Sequence, residues 1–362
     1  MGNNINIMDL ASSNRLARLR HPKTQAMTVT KIIDETPTMK TFCMEAADGH
    51  ELAYFNAGDI IPVFAEIDGN LIERPYGISS SPLESTQGLY SITVKKMDGG
   101  CVSSWIHENW QVGSSVTLGA PLSVLSYNPI RDSHSVIALA GGSGITPIRS
   151  MAKAIADGDI DCTMTLFYGV SELAEIAYKD EWAQLEARSG SKFRMIPVVE
   201  DETADCAEHG YITLDIVKKY CSIDGCSWFI SGPAAMDKAM RKMLEPLGIK
   251  RKFIRSSYSG DAEFHTESSD TYKLTVHSRG SSRIIEASAS DTLLQTLEKN
   301  GYRPDASCRS GKCGFCRTLV VSGTFKSLVE EDGVRRADRK YGYIHACCCV
   351  PTSDMELIIT ER

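Results

Sequence analysis

The sequence predicts three consecutive domains of different architecture. They are an antiparallel β-barrel, a doubly wound α/β domain with a parallel sheet, and a small C-terminal domain that carries closely spaced cysteines. Short alternating apolar runs fill the first part of the chain, and longer apolar runs that alternate with helical patterns follow. At 362 residues the chain is also too long for one hydrophobic core.

The barrel is predicted for residues 25–132, after a polar and basic N-terminal extension over 1–24. Its strands are short runs of alternating apolar and polar residues, separated by turn residues. The predicted runs are 26–33, 39–44, 60–67, 89–96 and 116–121. Such regular spacing of short strands is typical of a small antiparallel barrel.

The α/β domain is predicted for residues 133–260. The apolar run 136–140 leads into Gly141-Gly142-Ser143-Gly144 and then into a helical pattern over 147–155. Three more apolar strands follow at 163–168, 193–199 and 227–231, with helical segments such as 178–185 between them. Alternation of buried strands and helices predicts a doubly wound parallel sheet.

A polar linker over 261–271 precedes the last domain, 272–362. This domain is predicted to begin with a hairpin around Arg279-Gly280. A helix over 292–298 follows, with Ser290 or Asp291 as its N-cap. A further strand is predicted at 319–323.

Four cysteines of the last domain have the spacing of a [2Fe–2S] site. Three follow a C-x4-C-x2-C pattern, and the fourth comes 31 positions later; they are Cys308, Cys313, Cys316 and Cys347. Gly311 and Gly314 allow positive φ, so that backbone N–H groups can point at cluster sulfurs. Zinc or disulfides are the alternative, but a structural zinc site usually pairs two C-x2-C turns and only one is present.

The other cysteines and the composition restrict the class of protein. Eight further cysteines show no disulfide framework, which favours a reducing, cytoplasmic environment. Cys348 and Cys349 are interpreted as strand residues beside the cluster, with spare ligands or redox-sensitive thiols as the alternative. The net charge of −7 argues against nucleic acid as a partner, and the absence of an 18-residue apolar run argues against a membrane span.

Two stretches of the predicted barrel have phosphate-binding character. Arg74 can pair with a pyrophosphate, and Tyr76 can stack on a flavin ring. Farther along, Gly99-Gly100 and Ser103 open a predicted helix, whose N–H groups and dipole favour an anion. Together they predict a cradle for a flavin phosphate, although each alone is also compatible with an ordinary barrel surface.

Two turns of the α/β domain are expected at the nucleotide-binding edge of the sheet. Gly142-Ser143-Gly144-Ile145-Thr146-Pro147 follows the first strand, and Ser231-Gly232-Pro233 ends the fourth. Ligands of parallel α/β sheets bind beyond the carboxyl ends of the strands. The first turn is not G-x-G-x-x-G, which disfavours a standard Rossmann dehydrogenase.

The order of these motifs resembles the ferredoxin–NADP reductase superfamily, in its branch with a C-terminally fused plant-type ferredoxin domain. That branch includes the reductase components of phenylacetyl-CoA epoxidase, steroid 9α-hydroxylase, hybrid cluster protein and phthalate dioxygenase. The resemblance covers residues 25–362. It implies a flavin-binding barrel, an α/β nucleotide domain and a β-grasp ferredoxin domain.

The resemblance also implies roles for single residues. The flavin contacts are Arg74, Tyr76, Gly77, Val94, Lys95, Gly100, Val102, Ser103 and Thr146. The nucleotide contacts are Gly142, Gly144, Pro147, Glu172, Gly232 and Pro233. The cluster ligands are Cys308, Cys313, Cys316 and Cys347. Gly77, Ser231 and Ser256 occupy the catalytic positions, where many members carry Ser or Thr, Cys and Glu.

The implied function is an NAD(P)H oxidoreductase. Hydride passes from NADH or NADPH to FAD, with FMN less favoured, and single electrons pass through the cluster to a separate terminal redox protein. That acceptor is an oxygenase, hybrid cluster protein or another anaerobic enzyme. Glu172 favours NADH, since an acidic residue suits a ribose 2′-hydroxyl.

Two alternatives to this function remain open. One is an electron-transfer subunit of a permanent complex, similar to the iron–sulfur flavin subunit of dihydroorotate dehydrogenase. The other is a redox sensor that uses Cys348 and Cys349. Residues 273–362 carry 14 Lys and Arg against 11 Asp and Glu, a net charge of +3. This charge is compatible with an acidic docking partner, although scattered surface charge also accounts for it.

Overall fold

A computed structural model describes residues 22–67, 69–97, 100–258, 266–306, 309, 311, 313–329 and 332–361. These residues fall into two compact units. The first contains the described chain up to Val63 and from Tyr76 to Tyr258. The second contains Phe64–Pro75 together with the described residues from 266 onward. Most of the predicted extension, the linker residues 261–265, Gly99 and Cys308 lie outside the described residues.

The predicted barrel is an antiparallel sheet of six strands in the order β4-β3-β6-β1-β2-β5. The strands are β1 Gln25–Thr36, β2 Met39–Ala46, β3 Ile60–Ile67, β4 Asn70–Gly77, β5 Leu89–Lys95 and β6 Ser115–Leu118. A single bridge between Ile78 and Ile92 joins the end after β4 to β5. Two helices accompany the sheet, α1 Pro82–Thr86 and α2 Cys101–Asn109. Every run predicted as a strand in this region is a strand.

Alternating burial explains why these segments pair. Met27 and Val29 of β1 are fully buried, while the residues between them are more exposed. Phe42 of β2 is also fully buried and meets Trp110 edge-on at 5.3 Å between ring centroids. One face of each strand therefore supplies the barrel interior.

The α/β domain has a six-stranded parallel sheet in the order β10-β9-β8-β7-β11-β12. Its strands are β7 Ser135–Gly141, β8 Thr163–Val170, β9 Phe193–Val199, β10 Glu208–His209, β11 Ser227–Gly232 and β12 Ile254–Tyr258. Its helices are α3 Ile145–Ala156, α4 Lys179–Arg188, α5 Leu214–Tyr220 and α6 Ala234–Leu244. The chain order reverses between β7 and β11, so the edge where these two strands end is the topological switch point.

The C-terminal domain contains a five-stranded mixed sheet in the order β14-β13-β19-β15-β17 and a small β16-β18 pair. The strands are β13 Thr271–Ser278, β14 Ser281–Ser288, β15 Arg317–Ser322, β16 Phe325–Ser327, β17 Tyr343–His345, β18 Cys349–Pro351 and β19 Met355–Ile359. The helices are α7 Leu293–Lys299 and α8 Arg336–Lys340. Leu293, Leu294 and Leu297 of α7 pack into the core beneath the sheet.

Two local predictions in this domain have different outcomes. The hairpin around Arg279-Gly280 is confirmed, with φ of 50° and 78° at the two turn residues. The predicted N-cap of α7 is wrong. Thr292 caps the helix, because Gln295 completes a capping box with it at 2.7 and 3.2 Å.

No helix within the described stretches is both long and apolar enough to cross a membrane.

Candidate functional site

Two of the predicted cluster ligands end neighbouring strands. Cys316 directly precedes β15 and Cys347 directly follows β17, and Arg317 pairs with His345 in the antiparallel register between these strands. The N–H of Ala346 donates to the carbonyl of Cys316 at 3.1 Å. Both cysteines are 4% exposed. Strand pairing therefore brings together two ligands that are 31 positions apart in the chain.

The loop between the first two predicted ligands is shaped for a sulfur-rich ligand. Gly311 has φ of 75°, and its N–H donates to Cys347 Sγ at 3.2 Å. Its carbonyl accepts from Gly333 N–H at 2.6 Å and lies 2.6 Å from His345 Nδ1. A Cβ at Gly311 would lie 2.8 Å from Cys348 Sγ, so only glycine fits here. Backbone N–H groups directed at sulfur are the donors that stabilise iron–sulfur thiolates.

The remaining cysteines of this region differ in exposure. Cys313 is exposed, while Cys348 and Cys349 are 0% and 1% exposed. Cys308 lies outside the described residues. Redox-sensing thiols are generally accessible to solvent, so the burial of Cys348 and Cys349 favours a structural role for both. Among the described residues no three ligating side chains converge on a single ion.

The two glycine turns of the α/β domain meet at the switch point. Ser231 of β11 pairs in register with Ala140 of β7. A Cβ at Gly144 would overlap the carbonyl group of Ser231, so the turn after β7 touches the backbone where β11 ends. Gly142 has φ of 50°. The sequence predicted both turns at one edge of the sheet, and the structure brings them into contact there.

Gly77 lies against the residues that begin α3. A Cβ at this position would lie 2.9 Å from Pro147 Cδ and 3.2 Å from two carbon atoms of Thr146. Real side chains do not approach so closely. The missing hydroxyl at position 77 is thus matched by the packing of Thr146 and Pro147 into its place. This finding explains the departure from the usual Ser or Thr.

The predicted phosphate helix of the barrel is present as α2, with Gly100 as its N-cap. No side chain caps its first turn, so its leading N–H groups are left for another partner. Ser103 is 3% exposed, and its Oγ accepts from Met97 N–H at 3.3 Å. A Cβ at Gly100 would lie 2.5 Å from that Oγ. Val94 and Val102 are buried, and Lys95 lies 4.0 Å from Glu175.

Comparison with known protein families agrees with this geometry. Residues 26–127 match an oxidoreductase FAD-binding domain, residues 138–242 an oxidoreductase NAD-binding domain, and residues 276–352 a 2Fe-2S iron–sulfur cluster binding domain. The three matches follow the order predicted from the motifs.

Relatives of full length have the same organisation. The chain is 29% identical to the glycine betaine monooxygenase reductase subunit of Chromohalobacter salexigens, over 90% of this chain and 93% of the relative. It is 26% identical to NADH oxidoreductase HCR of Escherichia coli K12, over 91% and 96%. The crystal structure of phthalate dioxygenase reductase superposes with a TM-score of 0.69, at 21% identity over 93% of this chain and 98% of that one.

The chain belongs to the ferredoxin–NADP reductase superfamily. It is an oxidoreductase of the branch with a C-terminally fused ferredoxin domain, and its three domains bind FAD, a pyridine nucleotide and a [2Fe–2S] cluster.

The residues present in this reductase fit the three groups. The four predicted cluster ligands are all cysteines, and Gly311 already donates to one of their sulfurs. The glycines at 77, 100 and 144 leave no space for a side chain where flavin and nucleotide are expected. The uncapped first turn of α2 supplies N–H groups for a phosphate.

The reductase does not bring all three predicted catalytic positions together on one face of the sheet. Ser231 pairs in register with Ser257, and Ser256 pairs with Ile230. Register partners in a parallel sheet share a face, so Ser256 points away from the Ser231 side. Ser256 Oγ instead accepts from Arg241, whose Nε also donates to Asp237 at 2.8 Å. Ser257, which the motif comparison passed over, is the residue beside Ser231.

A buried polar network lies between the barrel strand end and α3 of the reductase. Arg149 donates to Glu181 at 2.6 Å and to the carbonyl of Ser79 at 2.9 Å, and its guanidinium lies 4.4 Å from the centre of the Tyr178 ring. Ser150 donates to the carbonyl of Ser80 at 2.6 Å. Sequence motifs did not mark these residues, because the contacts span about 70 positions. The network holds the residues after Gly77 against the helix that carries Thr146.

Proposed function

We propose that this protein takes hydride from NADH, passes single electrons to its cluster through FAD, and delivers them to a separate oxygenase component. The observation that carries the proposal is the contact between the Gly142–Gly144 turn and the end of β11, beside Gly77. Full-length relatives named as reductases of monooxygenase and epoxidase systems support the choice of acceptor class. The flavin, when bound, accepts two electrons at once and releases them singly.

The protein's own residues provide binding and orientation. The Gly142 and Gly232-Pro233 turns hold the nicotinamide end at the switch point, where backbone N–H groups face a ligand. Thr146 and Pro147 stand against Gly77 and set the wall between the flavin strand and the nucleotide turn. Ser231, only 1% exposed, provides a hydroxyl where many relatives have a thiol. Cys308, Cys313, Cys316 and Cys347 hold the cluster.

NADH is preferred over NADPH in this proposal because the end of β8 is acidic. Glu172 is exposed just beyond β8. The N–H of Leu173 donates to the Glu202 carboxylate at 2.9 Å, so a second acidic side chain lies at the same edge. A ribose 2′-phosphate would meet repulsion there, whereas a 2′-hydroxyl can donate to a carboxylate.

Anaerobic stopped-flow spectroscopy tests the proposal. NADH should bleach the flavin band first, and the reduced cluster should then give its electron paramagnetic resonance signal. NADPH should act at least about tenfold more slowly at equal concentration. If neither nucleotide bleaches the flavin, the proposed direction is wrong. A Glu172→Gln variant that leaves the nucleotide preference unchanged would remove Glu172 from the argument.

A further inference from the structure

A buried ion cluster in the second unit connects the cysteine loop to a residue expected to bind the flavin. Its members are Arg74 of β4, Glu298 of α7 and Arg309 of the cysteine loop. Their side chains are 9%, 9% and 8% exposed. Neither the cysteine motif nor the flavin motif includes Glu298, and sequence positions 74 and 298 are 224 apart.

Glu298 is in an environment that disfavours its charge unless cations are near. It lies in the last turn of α7, where the helix dipole opposes a carboxylate. It is also buried, and a buried carboxylate needs ionic partners. Arg309 provides the principal one through a two-pronged contact, Nη1 to Oε2 at 3.0 Å and Nη2 to Oε1.

Arg309 has a backbone conformation that this contact stabilises. Its φ is 51°, in the left-handed region that residues other than glycine rarely adopt. It directly follows Cys308 and precedes Gly311 by two positions. The ion pair therefore holds the loop next to a predicted cluster ligand in a conformation that would otherwise be unfavourable.

The second partner of Glu298 has a competing role. Arg74 Nη1 donates to Glu298 Oε2 at 3.4 Å and to the carbonyl of Glu73 at 3.0 Å. Oε2 is therefore shared between Arg74 and Arg309. A flavin phosphate that attracts Arg74 would weaken its hold on Oε2 and leave more of the carboxylate charge to Arg309. The Glu73 carboxylate also acts electrostatically on Arg309.

We propose that Glu298 couples flavin binding to cluster retention, because one carboxylate is shared by the flavin-binding Arg74 and the cysteine-loop Arg309. Binding of FAD strengthens the Glu298–Arg309 pair, and a formed cluster loop strengthens FAD binding to the same extent. Glu298 and Arg309 are positioning residues, since neither is assigned a contact with a cofactor. The inference rests on the proposed function in one respect, the role of Arg74 toward the flavin phosphate.

The test compares two charge-removing variants in the full-length protein loaded with its cluster. Glu298→Gln removes the competitor for Arg74, so FAD should bind more tightly, on the order of fivefold. Arg309→Gln leaves Glu298 to Arg74 alone, so FAD should bind more weakly by a similar factor. Both variants should lose the cluster to an iron chelator faster than wild type. Flavin fluorescence quenching measures affinity, and the visible cluster absorption measures retention.

Opposite changes in FAD affinity separate this coupling from simple destabilisation, which would weaken FAD binding in both variants. FAD affinities that move in the same direction, or do not move, would overturn the inference. Glu286→Gln on exposed β14 is the matched control for loss of a carboxylate and should change neither readout. If Glu298→Gln does not fold, Arg309→Lys replaces it. Arg309→Lys keeps the charge and should bind FAD more tightly than Arg309→Gln.

Arg74→Gln separates failure of the inference from failure of the proposed function. It should weaken FAD binding strongly while leaving the cluster at least as resistant to chelator as in wild type. Unchanged FAD affinity in this variant would disprove the proposed role of Arg74. Weakened FAD binding in Arg74→Gln, combined with equal effects of Glu298→Gln and Arg309→Gln, would disprove only the coupling.

Discussion

A single methyl group at Gly77 is expected to disturb the site where flavin strand and nucleotide turn meet. The new Cβ of Gly77→Ala would lie 2.9 Å from Pro147 Cδ and 3.2 Å from Thr146. Carbon atoms usually approach to about 3.5–4.0 Å, so the two segments must separate by roughly 0.6 Å or more. Overpacking of this kind costs about 1–3 kcal/mol.

Two measurements on the FAD-loaded protein check this expectation. The melting temperature should fall by about 2–4 °C for each kcal/mol lost. Flavin reduction by NADH in anaerobic stopped-flow should be about tenfold slower or more, because a displacement near 1 Å strongly affects transfer between bound partners. Gly77→Ser, which restores the residue common in relatives, should behave in the same way.

The control and the rescue use the same packing argument. Gly169→Ala places its Cβ 3.5 Å from Ile212, an ordinary contact, and should leave the melting temperature nearly unchanged. Pro147→Ala removes the nearest atom, so Gly77→Ala should cost less in that background. A Gly77→Ala variant with wild-type stability and wild-type flavin reduction would refute the reasoning.

Three further predictions concern other parts of the first unit. Arg149→Met should lower the free energy of unfolding by about 3–5 kcal/mol in chemical denaturation, since it leaves Glu181 without its buried partner. Burial lowers the pKa of His107 below 6.5, so the unfolded chain takes up a proton there first, and acidification from about pH 7.5 to 5.5 should reduce stability more in wild type than in His107→Gln. Iodoacetamide at pH 8 should modify exposed Cys206 and spare Cys162, whose pKa burial raises to about 12.

Each of these has a clear contrary result. Equal stability of Arg149→Met and wild type would remove the polar network from the account of the barrel–α3 contact. Parallel pH profiles of wild type and His107→Gln would show that the imidazole near the Val94 carbonyl does not titrate differently on folding. Labelling of Cys162 at the rate of Cys206 would mean that the α/β core opens readily.

The sequence predicted the architecture well because its patterns are local. Apolar alternation marks β1, and glycine after an apolar run marks the turn after β7. Strand β12 was missed because Arg255, Ser256 and Ser257 interrupt the apolar pattern of an edge strand. The N-cap of α7 was misplaced because Thr292, which forms the capping box, was taken as a helical residue.

Site residues were predictable only where a motif carries the chemistry. Cysteine spacing located the cluster ligands, and glycine turns located the nucleotide edge. The partners of Arg74 and Arg149 lie far away in the chain, so no spacing rule could find them. Likewise, Gly77 looked like a missing hydroxyl in the sequence, and only the positions of Thr146 and Pro147 show that a side chain has no space there.

The second compact unit is assembled from two separate pieces of the chain, Phe64–Pro75 and the stretch that follows the linker. A genetic truncation at the linker would therefore not release an intact module. It would leave Phe64–Pro75 behind with no remaining part of its own unit, and would remove Glu298 from Arg74. Shuffling of this ferredoxin domain onto another reductase would have to transfer a matching β3–β4 hairpin as well, which limits how freely recombination can exchange the domain.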